Sequence, residues 1–181
     1  MAKRAAKSSP DVEARLLLDK LDKSKGMVRT IPMLKRRPEA KKILSAPPEV
    51  QAAVVMRAIR DLGSLRVKIS GSDPCDLFNI HHESGYSFRV MNFFGSLLTP
   101  KLQLDDADVV SALAEIARYE HIAIDTMPFL PALFKYLSRR PAGLPNEGRP
   151  YLKKIAKALL TMEGAAETRL SKSFAALAKA R

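Results

Sequence analysis

Tryptophan is absent from this sequence, cysteine occurs once, histidine three times, and aromatic residues of all kinds make up 6% of 181 positions. The lone Cys75 excludes an intrachain disulfide and fits a cytoplasmic setting. So few aromatics leave little for single-stranded bases to stack on, and no basic run is interleaved with them. No apolar run approaches the ~18 residues of a membrane span, so no membrane association is expected. A signal peptide is not expected, and Asp11 and Glu13 follow too soon for a transit peptide. The strings G-x-S-x-G, H-E-x-x-H, G-x-G-x-x-G and the P-loop are missing, as are zinc-finger spacings and RNP-like strings. No catalytic residue and no cofactor is therefore expected.

What the chain has is alanine and leucine, 47 together, against 23 of the β-branched Val, Ile and Thr. That balance favours helix over sheet. With 46% apolar and 28% charged residues, the composition is globular, and a chain of this length buries roughly 70% of its unfolded surface without disulfide or metal. The net charge of +12 is segmented: residues 1–70 carry +10, 71–130 carry −6 and 131–181 carry +8. Two basic ends flank an acidic middle, an arrangement that either neutralises itself in the fold or grips an acidic protein or polyanion.

Residues 1–9 read as a flexible basic tail and 10–181 as a single helical domain. Ser9, Pro10 and Asp11 mark a helix start, with Leu17, Leu18 and Leu21 on its buried stripe and an end near Lys23. Residues 27–37 read as a connector. A short helix is expected from Pro38 to near Ser45. The next runs from Pro48 to Leu62, with Ala52, Val55, Met56, Ile59 and Leu62 on one face and Gly63 as its C-cap. Between 64 and 94 two readings stay open. Alternation at Leu65, Val67, Ile69 and at Tyr86, Phe88, Val90 fits a small hairpin, whereas a helix through 76–98, or at least 89–98, fits as well.

Asp105 sits where an N-cap belongs, ahead of Val109, Val110, Leu113, Ile116 and Ala117. Leu130, Leu133, Phe134 and Leu137 repeat the helical spacing. Residues 140–149, with Pro141, Gly143, Pro145 and Gly148, read as a loop. Leu152, Ile155, Ala156, Leu159 and Leu160 form another stripe, and a last helix beyond Gly164 contains Leu170, Phe174 and Leu177. From Asp105 to Met162 this rhythm, with LPALFKYL and LKKIAKALL as its most regular pieces, resembles HEAT- or armadillo-like α-helical repeats. The resemblance implies stacked amphipathic helix pairs whose successive helices build a binding surface, and it implies no catalytic residues.

Three constellations carry chemistry. Cys75, Asp76, His81, His82 and Glu83 hold metal-capable groups, but one thiol and adjacent histidines lack the spacing of a zinc site; a Cys75/His nucleophile is the remaining enzymatic reading. Asp105, Asp106 and Asp108 suit helix capping better than a cation loop, which needs a central Gly and a closing Glu. The basic residues are Lys35, Arg36, Arg37, Lys41 and Lys42, then Arg139, Arg140, Arg149, Lys153, Lys154 and Lys157. They are candidates for an anion or nucleic-acid site, against the alternative of a solvated surface. The expected function is a non-catalytic interaction module offering a basic helical surface to a protein partner, itself acidic. The alternative is contact with the phosphate backbone of a nucleic acid. The junction Ser45–Pro48 is unlike a helix-turn-helix turn.

Overall fold

The computed structural model describes residues 9–22, 31–69, 92–118, 129–162 and 164–180. Among them the chain is mainly α-helical, with no strand. Prolines set the helix starts. Helices α1 (Pro10–Asp22), α3 (Pro38–Leu44) and α4 (Pro48–Ile69) begin on one. In α2 (Ile31–Arg36), α6 (Leu130–Ser138) and α7 (Arg149–Leu160) a proline is the second residue. There the missing N–H has no intrahelical partner to lose, and the fixed φ already suits the helix. Helix α5 (Asp106–Ala117) starts from a side-chain cap, the Asp108 N–H donating to Asp105 Oδ1 at 2.7 Å. Helix α8 (Ala165–Lys179) follows Gly164.

Three expectations are corrected. The connector 27–37 contains α2, whose six residues are too few to show a periodic stripe. Gly63 does not end α4, which continues to Ile69, so the alternation of Leu65, Val67 and Ile69 belongs to a helix and not to a strand. Leu160, placed on the buried stripe of α7, is 55% exposed. Residues 92–95 form a helical turn, within the helix expected at 89–98. The basic tail up to Ser8, the rest of the 70–91 segment and residues 119–128 lie outside the described residues.

One core runs from Ala14 and Leu21 of α1 to Phe174 and Ala178 of α8. Helix α4 packs against α1, α3 and α5, α5 also packs against α7, and α8 joins α7 to α6. This explains why α4 buries more than a single stripe: Val50, Val54 and Ala58 are covered along with Ala52, Val55, Met56 and Ile59. Each Val, Ile or Met buried this way contributes about 1.5–3 kcal/mol.

The α7–α8 pair is antiparallel. Ser171, the buried polar residue of α8, donates its hydroxyl to the Ala156 carbonyl of α7 at 2.6 Å. One turn further along α8, Phe174 meets Phe134 of α6 edge-on, with ring centroids 5.6 Å apart. Phe129, Leu130, Leu133 and Leu137 are buried beneath them.

Candidate anion-binding surfaces

The first basic group sits on α2 and α3. Arg36, Lys41 and Lys42 are exposed, Lys35 is half-buried, and Arg37 is half-buried and engaged within the chain. The second group divides in two. Arg140 and Arg149 have structural work, whereas Arg139, Lys153, Lys154 and Lys157 stand in solvent.

Arg140 closes the loop after α6. Its side chain is 8% exposed and pairs with Asp106 at 2.6 Å. The same guanidinium donates to the Leu104 carbonyl at 3.1 Å and to the Gly143 carbonyl at 2.8 Å. Gly143 returns its N–H to the Arg140 carbonyl at 3.0 Å and holds φ at +71°, a left-handed geometry that favours glycine. Arg149 donates Nε to Asn146 and a terminal nitrogen to the carbonyls of Ala178 and Ala180. It thus satisfies the last carbonyls of α8 and sits at the negative end of that helix. Neither arginine is a free phosphate ligand.

Helix α7 has no acidic residue. Its buried face is Leu152, Ile155, Ala156 and Leu159. Beside this face lie Lys153, Lys157 and Leu160, at spacings of four and three, so one outward ridge runs from two lysines to an exposed leucine at the edge of the buried stripe, and Lys154 is exposed as well. No described residue forms an ion pair with these lysines. Arg169, Lys172 and Lys179 add exposed cations on α8, and Lys135 and Arg139, four residues apart, add two more on α6. Lys135 was missed in the basic clusters because it stands alone in the sequence; its position one turn before Arg139 is the signal that finds it. The two groups ride on different parts of the stack, α3 against α1, α2 and α4, and α7 against α5 and α8.

Part of the acidic middle lies among the described residues. Asp105 caps α5 and Asp106 pairs with Arg140. Asp108 has its carboxyl pushed above the ordinary aspartate range, first by burial and then by the charge of Asp105, with Arg60 of α4 pulling the other way. The Cys75–Glu83 set and His121 lie outside the described residues, among which no three metal-capable side chains converge. No described helix is long and apolar enough to cross a membrane, and none of the described Phe and Tyr side chains is exposed. Comparison with known protein families, with curated proteins and with solved structures yields no match.

Proposed function

We propose that this protein is a non-catalytic interaction module whose basic helical surface, centred on α7, receives an acidic protein partner. The observation that carries the reading is the outward ridge Lys153–Lys157–Leu160 on a helix without acids. Lysines alone suit any anion, but an exposed leucine in line with them suits a partner that offers carboxylates beside an apolar side chain. The single cysteine supports a cytoplasmic setting.

The test is affinity capture with three forms of the protein. Wild type retains a stoichiometric acidic protein, a Lys153→Glu/Lys154→Glu/Lys157→Glu variant loses it, and Leu160→Asn weakens it while the fold stays intact by circular dichroism. Equal retention by all three overturns the proposal. A second reading, contact with a nucleic-acid phosphate backbone, is supported by the exposed Arg169, Lys172 and Lys179 that extend the basic surface onto α8. Under that reading Leu160→Asn, which removes the apolar side chain without adding charge, leaves binding nearly unchanged, which separates the two.

A further inference from the structure

Away from α7, residues 95–104 and the outer face of α6 enclose a cleft of about 640 Å³, within the roughly 300–1,000 Å³ typical of small-molecule sites. Ala132, Lys135, Tyr136 and Arg139 line one wall; their spacing places them on one face of α6, opposite the buried Leu130, Leu133 and Leu137. Leu98, Pro100 and Leu102 contribute to the facing wall.

The two walls are tied together. The Tyr136 hydroxyl donates to the Leu102 carbonyl and accepts from the Leu104 N–H, each at 3.0 Å. Arg140, at the end of the cleft, holds the Leu104 carbonyl as well. A site fixed by buried hydrogen bonds is formed before its ligand arrives, so little ordering opposes binding. Its charge is one-sided. Among the described residues no acidic one lines the cleft, and Asp106 neutralises Arg140 from outside it. Lys135 and Arg139 remain exposed, with no ion pair to any described residue.

We propose that this cleft binds a free small-molecule amphiphile with one anionic head, a carboxylate or sulfonate. The head lies between Lys135 and Arg139, and the apolar body lies against Leu98, Leu102 and Ala132. The apolar wall excludes a polyanion from the interior, and two cations one helical turn apart, unpaired among the described residues, select against a neutral ligand. The site is separate from the α7 ridge and does not depend on that ridge's function.

Titration calorimetry with octanoate, and with 1-octanol as the uncharged counterpart, tests it. Octanoate is expected to bind with 1:1 stoichiometry and about tenfold or more tighter than octanol, since charge-assisted hydrogen bonds are roughly twice as strong as neutral ones. Lys135→Gln/Arg139→Gln removes that preference without moving the unfolding midpoint, because both side chains are exposed. Ala132→Phe fills the cleft and abolishes binding of both probes, whereas Lys153→Gln/Lys157→Gln leaves octanoate binding unchanged. Equal affinity for the two probes, an unaffected double variant at 135 and 139, loss of the octanoate preference in the 153/157 variant, or no saturable binding at all overturns the proposal.

Discussion

Tyr136 holds two distant backbone groups with a single oxygen. Replacing it by phenylalanine keeps the ring and leaves the Leu104 N–H and the Leu102 carbonyl without that partner. An unsatisfied buried group costs about 1–3 kcal/mol, so Tyr136→Phe is expected to lower stability in urea by an amount in that range. A change below a few tenths of a kcal/mol would mean that water replaces the hydroxyl. At the start of α5, Asp105→Ala removes the cap on the Asp108 N–H and is expected to cost about 1 kcal/mol, read from the same denaturation curves. Asp108 gives a pH signature of opposite sense to the usual carboxylate. Its folded pKa lies above its unfolded one, so its ionised form opposes folding, and its contribution improves as pH falls through the folded value. Asp108→Asn is therefore expected to gain stability relative to wild type at pH 7, and that gain shrinks toward pH 4. A gain that grows on acidification contradicts the burial of this carboxyl. The cap at Asp105 was legible because an aspartate and an N–H three residues apart meet locally. The roles of Tyr136, Arg140 and Arg149 were not, since their partners lie far along the chain and only folding brings them near.

Among the helices, starts were easier to read than ends. A proline early in a helix announces itself at Pro10, Pro38 and Pro48, though not at Pro32 of the short α2, whereas a glycine signals an end only if the chain turns there. Gly63 looks like such an end, yet α4 passes through it to Ile69. The local preference is weak, a disadvantage to the helix of about 1 kcal/mol relative to alanine, and α4 is held over its first turns by α1, α3 and α5. Gly63→Ala is expected to raise the thermal midpoint by up to a few degrees, corresponding to about 0.5–1 kcal/mol. A fall would restore this glycine to a terminating role. On α7 the stripe Leu152, Ile155, Ala156 and Leu159 was legible from spacing alone, but Leu160 was taken with it. Periodicity counts an apolar residue at the edge of a stripe as buried, and only the position of α8 decides which edge is covered. The exposed edge is what distinguishes a protein-binding ridge from a plain row of lysines.

At the scale of the molecule, the described part of the acidic middle engages one cation of the basic C-terminal end: Asp106 pairs with Arg140, while Asp105 and Asp108 lie at the first turn of α5. Lys153, Lys154, Lys157, Arg169 and Lys172 remain outward on the α7–α8 pair. A surface of this kind has a salt response that depends on its partner. If duplex DNA lies on it, each neutralised phosphate releases condensed counterions, and log K falls against log salt with a slope of about −0.9 per contact. Lys153→Gln/Lys154→Gln/Lys157→Gln then flattens that slope by up to about three units, similarly for unrelated sequences, because backbone contacts carry no base information. If the partner is a folded acidic protein docked through Leu160, part of the interaction is apolar burial, which salt does not screen. Binding then persists at high ionic strength, with Leu160→Asn more damaging there than any single lysine change. Fluorescence anisotropy over a series of salt concentrations, with a labelled duplex and with the captured acidic protein in turn, measures both slopes. A steep slope with DNA and indifference to Leu160→Asn would replace the proposed protein recognition at the α7 ridge by phosphate contact.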